Sequence, residues 1–260
     1  MEQDWLYYRI LVDSFEGTQA VLEHPALRAV IREARCLIPE GRYFFLRFAD
    51  HRGLQIRLRI AGPLDALAEL EPTADRMLRD IGREGLHQGV EKALYEPEFT
   101  KYGGPAGLAG AELLFQASSD TALGLFGATY WAGRFGYATL LTRLAVDLLP
   151  QAQHRSFLYN MRWYWTGQNG PHSALARQHA ADSAARAEAP LRARTTAIRQ
   201  GPHSPALLDY QRALRDRLAH PAARTPAHLL FHYVHLMNNR LGVKPIEEAV
   251  IADLLLHWQP

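Results

Sequence analysis

The chain has 260 residues, 48% apolar and 22% charged, with a formal net charge of +2, enough length and apolar content for a large buried core. No apolar run approaches the roughly 20 residues that span a bilayer. The start MEQDWLYYRI lacks the basic-then-apolar pattern of a secretion signal, and Cys36, the one cysteine, excludes an internal disulfide and a multi-cysteine zinc site. A cytoplasmic protein with one domain over 1–260 is expected.

Residues Trp5 to Val12 read as a strand, and a short helix from Thr18 leads to another over Pro25 to Ala34. Tyr43 to Phe48 and Leu54 to Ile60 alternate apolar and polar positions around Asp50-His51-Arg52-Gly53, predicting a hairpin with one buried face. Pro63 opens a helix to about Ile81 with a break expected at Pro72, and a strand is expected over Gly89 to Tyr95. From Leu108 the periodicity is helical, with helices expected over 108–117, 119–132, 135–149 and 151–165. The polar run TGQNGPHS breaks it at 166–173, and Gly201-Pro202-His203-Ser204-Pro205 breaks it again before helices at 206–219, 226–241 and 245–257. Strands confined to the first 95 residues predict an α+β fold, one mainly antiparallel sheet packed against a helical layer.

Between Arg177 and Arg224 stand nine arginines and four acids in an alanine-rich background. Such a stretch makes either a solvated helix face or a basic surface for an acidic peptide or RNA. Base-stacking aromatics are sparse there, which favours the solvated face. Trp163, Trp165, Tyr159 and Tyr164 read as helix-packing aromatics.

Three stretches can carry chemistry. Apolar residues at 54, 56, 58 and 60 put Gln55, Arg57 and Arg59 on the opposite strand face. Arg47, set against Phe44, Leu46 and Phe48, is expected to share that face. Crowded guanidinium groups repel unless an anion separates them, and arginine grips carboxylates through paired planar hydrogen bonds, so the face suits a dicarboxylate such as glutamate. The alternative is a wet outer sheet face with acidic partners.

The second stretch is YEPEFTKYGG. Pro97 keeps Glu96 extended and Gly103-Gly104 allows a sharp turn, so Glu98, Lys101 and Tyr102 sit on a stiff, shaped segment before a helix. Glu98 is read as an acceptor for a nearby arginine ahead of a base.

The third is the helix opened by Thr225-Pro226. At about 100° per residue, His228, His232, His235 and Asn239 form a narrow polar stripe opposite Leu230, Val234, Met237 and Leu241. The histidine spacing would suit a metal, but no HExxH pattern or cysteine accompanies it, and no metal is expected. Acid–base work by one histidine competes with a purely structural role. No nucleophile elbow, GxGxxG or phosphate loop appears, and no cofactor is implied.

Taken together, RYFFLRFADHRGLQIRLRI, YEPEFTKYGG, AELLFQASSD and HLMNNRLG fall in an order and spacing that resembles the C-terminal domain of class I lanthipeptide dehydratases. That domain also occurs as a free-standing thiopeptide-type bacteriocin biosynthesis protein. The resemblance covers nearly the whole chain. It implies a lyase that eliminates glutamate from glutamylated Ser or Thr of a precursor peptide, giving dehydroalanine or dehydrobutyrine. Arg57 and Arg59 would hold the glutamyl group and His235 would handle the proton. Lys101 stands where the family more often has arginine, keeping the charge but losing the fork geometry. Arg47, Glu98, Tyr102, His232, Asn239 and Arg240 are assigned to substrate binding. The implied partners are a leader-bearing precursor peptide and a glutamyl-tRNA-dependent transferring protein. No direct nucleic-acid or membrane contact is required, and a homodimer is allowed. Two alternatives stand: a pyridine-forming [4+2] cycloaddition on two dehydroalanines, and a non-catalytic subunit that binds leader peptide or a partner protein.

Overall fold

A computed structural model describes residues 4–126, 131–201, 203, 205–219 and 224–258. Strand β1 (Asp4–Val12) leads through α1 (Phe15–Glu23) and α2 (Pro25–Leu37) to the hairpin β2 (Arg42–Asp50) and β3 (Gly53–Gly62). Helix α3 (Leu64–Arg83) and the short strand β4 (Gly89–Lys92) complete a four-stranded sheet of order β2-β3-β1-β4, antiparallel throughout. The fold class is the expected α+β.

One sheet face carries Tyr8, Ile10, Phe45, Ile56, Leu58 and Ile60, all buried. It packs against α2 through Leu27, Val30 and Ile31, and against α3 through Leu67, Leu70 and Leu78. Each such side chain contributes about 1.5–3 kcal/mol relative to exposure. Helix α3 runs unbroken through Pro72; the proline lies on the exposed side, where water can satisfy the carbonyl it leaves without an N–H partner.

The register corrects one expectation. Asp50 pairs with Gly53 across the turn, so Phe48, Leu46 and Phe44 oppose Gln55, Arg57 and Arg59. Directly opposed residues share a face. Arg47 opposes Ile56 and therefore points to the other side, where it is 3% exposed. Its Nε donates to Thr18 Oγ1 at 2.8 Å, and its Nη1 donates to the carbonyls of Asn239 and Arg240 at 2.8 and 2.7 Å. Arg47 fastens α1 and the end of a later helix to the sheet, and is not part of the arginine cluster.

After β4 come a single helical turn, α4 (Phe99–Tyr102), and then α5 (Pro105–Leu125), α6 (Trp131–Val146), α7 (Gln151–Trp165), α8 (Ser173–Gln200), α9 (Pro205–Ala219), α10 (Pro226–Leu241) and α11 (Pro245–His257). The two helices expected over 108–117 and 119–132 are one helix as far as Leu125; residues 127–130 lie outside the described residues. Strand β4 ends at Lys92, short of the expected Tyr95.

Helices α5 and α10 lie along the edge strand β2 and occupy its open hydrogen-bonding side. Phe45 N donates to Ser119 Oγ at 3.3 Å. Arg47 N donates to Asn239 Oδ1 at 2.9 Å while Asn239 Nδ2 donates to the Arg47 carbonyl at 2.8 Å, as a neighbouring strand would. No described helix is long and apolar enough to cross a membrane.

Candidate functional site

The first group of expected residues lies on the half-open sheet face. Arg57 donates to Asp50 Oδ2 at 3.2 Å and to Gln55 Oε1 at 3.3 Å, and its guanidinium sits 3.4 Å from the centre of the Phe48 ring. Arg9, opposite Arg57 on β1, donates to the Tyr7 hydroxyl at 3.2 Å. Arg59 is different. Its guanidinium is boxed by Tyr7, Tyr95 and Phe44 at 4.7, 4.8 and 5.5 Å from the ring centres. Its Nε is buried without an acceptor, and no ion pair reaches it among the described residues. Glu112, an acid near enough to feel its charge, is bonded to Tyr95 and Arg42, and a cation held over aromatic faces without an ion pair can receive an anion.

The second group is carried by the turn segment, as its glycines foretold. Gly103 and Gly104 have φ of 84° and 93°, a region closed to most other residues. A Cβ on Gly107 would meet the Tyr102 carbonyl at 1.9 Å, so only glycine lets α5 begin against the turn. Two arginines of the basic stretch clamp the segment: Arg217 Nη2 donates to the Gly107 carbonyl at 3.1 Å, and Arg224 Nε donates to the Thr100 carbonyl at 2.9 Å. Those two are structural. The partner of Glu98 is Lys101, at 3.3 Å, where an arginine was expected. Tyr102 is 1% exposed and stacks on Tyr233 of α10 at 5.9 Å; burial, ahead of the nearby Glu98 charge, raises its phenol pKa.

The third group is the histidine stripe of α10. Thr225 caps the helix, accepting from His228 N at 3.3 Å. His228 Nε2 lies 3.3 Å from the Lys101 carbonyl, bringing the turn segment onto the stripe. Burial, then the charges of Lys101, His228 and His235, push the His232 pKa down to about 3, so this ring stays neutral. His235 is the part-exposed member with a built partner. Its Nδ1 lies 2.7 Å from Glu248 Oε1, and Glu248 is fully buried in the first turn of α11. Asn238 Nδ2 donates to the other carboxylate oxygen at 3.4 Å. Burial raises the Glu248 pKa against the lowering effect of these two hydrogen bonds. Trp165 lies 4.5 Å from the His235 ring, fixing its plane, and the indole N–H is buried without an acceptor among the described residues.

A carboxylate on Nδ1 leaves Nε2 of a neutral imidazole free to accept a proton and stabilises the imidazolium that results. Glu248 was not singled out in the sequence. Its signal was there: with Ile251, Ala252 and Leu255 it falls on one face of α11, an acid set in an apolar stripe. The remaining candidates, Asn239 and Arg240, bond to the scaffold. Asn239 completes the sheet edge, and Arg240, 0% exposed, donates to Ser119 Oγ at 3.0 Å and to the Leu236 carbonyl at 3.1 Å.

Among the described residues, no hydrogen bond, ion pair or ring contact joins Arg57 or Arg59 directly to His235. They are linked by an aromatic wall. Phe44 meets Phe115 at 5.3 Å, Phe115 meets Tyr102 at 5.3 Å, and Tyr102 meets His232 at 6.4 Å. The segment from Tyr95 to Tyr102 runs between them, its first residue on Arg59 and Lys101 against His228. Beside the stripe, α7 and α10 enclose a cleft of about 530 Å³ lined in part by Trp163, Tyr164, Phe231 and His232. Trp165 and Tyr164 pack as expected, both on Phe231, and Tyr164 also lines the cleft with Trp163.

Among the solved structures that share this fold are MibB, TbtD and TsrL. The tRNA-dependent lantibiotic dehydratase MibB from Microbispora sp. 107891 matches over 96% of the chain with 21% identity and a TM-score of 0.65. The chain spans 27% of that protein's length. The pyridine synthase TbtD from thiomuracin biosynthesis matches over 98% of the chain and 97% of its own, with 14% identity and a TM-score of 0.71. TsrL matches over 98% and 93%, with 16% identity and a TM-score of 0.65. No match was found among curated proteins. Residues 5–258 match the family model described as lantibiotic biosynthesis dehydratase C-term. The chain therefore belongs to the family of lantibiotic biosynthesis dehydratase C-terminal domains, proteins of ribosomally made peptide natural-product biosynthesis.

Proposed function

We propose that this protein is a lyase that removes glutamate from glutamylated Ser or Thr side chains of a precursor peptide. Arg59 carries the reading: a guanidinium in an aromatic box, with no ion pair among the described residues, is what a departing dicarboxylate needs. His235, oriented by Glu248, takes the α-hydrogen at Nε2. The electron pair passes through the enolate of the neighbouring carbonyl into the new Cα=Cβ bond, and the Cβ–O bond breaks with the pair leaving on the glutamate carboxylate. Lys101 supplies positive charge near the histidines for the enolate oxygen, and Arg57 and Arg59 receive the leaving anion. The glutamyl ester would come from a glutamyl-tRNA-dependent transferring protein acting before this one.

The test is mass spectrometry of a leader-bearing peptide with one glutamyl-serine ester, incubated with the intact protein and with His235→Ala and Arg59→Ala. Loss of glutamic acid only with the intact protein supports the lyase. Persistence of the ester while the peptide still binds overturns it.

The aromatic cleft beside a neutral His232 favours a second reading, cycloaddition of two dehydroalanines to a pyridine; the fold relative TbtD is a pyridine synthase. A peptide bearing two dehydroalanines, assayed in parallel, separates the two.

A further inference from the structure

The cleft between α7 and α10 holds none of the residues assigned to the elimination above, and the neutral His232 lines it. Along α7, Gln153, Ser156, Asn160 and Trp163 recur at helical spacing and form one wall; Ala227, His228 and Phe231 of α10 form the other. From Gln153 to Tyr164 the wall is about 16 Å long at 1.5 Å per residue, room for four or five extended peptide residues. No carboxylate, lysine or arginine lines it. Its floor is aromatic and its rim has amide and hydroxyl groups of the kind that pair with a peptide backbone.

The cleft is continuous with the base. Phe231 stacks on Trp165 at 5.8 Å and 12°, and Trp165 covers the His235 ring. On α10, His232 precedes His235 by about 4.5 Å and His228 by about 10 Å of helix rise. An extended peptide advances about 3.3–3.6 Å per residue. A substrate with its reacting carbon at His235 that follows α10 toward His228 would lay the residues one to three positions away over this cleft.

We propose that the α7/α10 cleft is the subsite for the stretch of peptide flanking the reacting Ser or Thr, and that it selects an aromatic or other planar apolar group against Trp163, Tyr164 and Phe231 while rejecting charged side chains. The proposal rests on His235 being the reacting base, but its test does not require turnover. Three unmodified peptides serve as probes: N-acetyl-Phe-Ser-Phe-amide, N-acetyl-Glu-Ser-Glu-amide and N-acetyl-Gly-Ser-Gly-amide. Each is titrated into the full-length protein while the indole N–H resonances of its tryptophans are followed. The phenylalanine peptide should bind about tenfold more tightly than the other two, the return for one buried ring. It should move the Trp163 and Trp165 signals and leave Trp5 and Trp258 in place.

Ser156→Phe, which fills the cleft from an exposed helix position, should reduce the preference to within about threefold with an unchanged thermal midpoint. Equal binding of the three peptides, shifts confined to Trp5 or Trp258, or a preference that survives Ser156→Phe would each overturn the assignment. Selective binding without glutamate elimination would leave the subsite standing and remove the lyase.

Discussion

Asn239 illustrates how a residue of the family's motif can serve the fold rather than the substrate, and the distinction is measurable. Its amide makes two hydrogen bonds to the backbone of Arg47, at 2.9 and 2.8 Å, on the one side of β2 that no strand covers. Asn239→Ala removes both and leaves an N–H and a C=O of a largely buried edge without partners. At about 0.5–1.5 kcal/mol net per hydrogen bond, with more where water cannot enter, the loss is about 2 kcal/mol. For a chain of 260 residues melting as one unit, the unfolding entropy is about 0.55 kcal/mol/K, so the thermal midpoint should fall by about 4 °C. Asn239→Asp should fall between, since a carboxylate still accepts from Arg47 N but repels the Arg47 carbonyl. Thermal unfolding followed by circular dichroism, beside peptide binding, decides the matter. An Asn239→Ala protein with an unchanged midpoint and lost peptide binding would refute the structural role and return the residue to the substrate.

Other substitutions separate chemistry from scaffold. His235→Ala should lower glutamate elimination by about 10²–10⁴-fold, the usual worth of a general base, with peptide affinity retained; Glu248→Gln should lower kcat with KM little changed, because the amide orients the imidazole but cannot balance its charge. Arg240→Met should leave stability within about 1 kcal/mol or raise it, since the buried guanidinium has no acidic partner among the described residues; urea unfolding reads this directly. His232 sets a pH signature. Its folded pKa of about 3 lies below the ordinary 6.5, so the unfolded chain takes up a proton the folded one refuses, and stability is lost as pH falls from about 6.5 toward 3. Discounted for partial exposure, the intact protein should lose about 2 kcal/mol more than His232→Gln between pH 7 and 4, measured as the difference between their urea midpoints across that range.

How far the sequence could be read depended on whether a pattern was one-sided. In β3 apolar and polar residues alternate cleanly, and the face holding Arg57 and Arg59 follows from that alone. In β2 the run Tyr43-Phe44-Phe45-Leu46 is apolar on both faces, so period-2 reasoning has no parity to work with and set Arg47 on the wrong side. The deciding information was in the turn: with only His51 and Arg52 between paired Asp50 and Gly53, Leu46 must oppose Arg57. The histidine stripe was legible because α10 is amphipathic, whereas its partner Glu248 was hidden beside Glu247 in a first turn where acids are ordinarily caps. Glu247 does take that role, accepting from Lys244 N at 2.7 Å, and frees its neighbour to turn inward.

The turn segment has little regular structure, yet both its ends are anchored. Tyr95 packs on Arg59 and donates its hydroxyl to Glu112 at 2.9 Å, while Glu112 also receives Arg42 at 3.0 Å. That contact places the start of the segment on the sheet, and Arg217, Arg224 and the Tyr102–Tyr233 stack place its end on α9 and α10. Six residues between two anchored ends have little freedom, so Lys101 is delivered to the histidines by its backbone, through these anchors and the bond of its carbonyl to His228 Nε2, and not by a bond from its ammonium to any of their rings. Exchange of Lys101 for arginine should therefore be tolerated by the fold and read out in the reaction alone: Lys101→Arg keeps the thermal midpoint within about 1 °C, because the ammonium's one ion pair among the described residues is with the exposed Glu98. A large drop in midpoint would show that the charge at this position holds the segment in place, and the division of labour between anchors and reacting groups drawn here would fail.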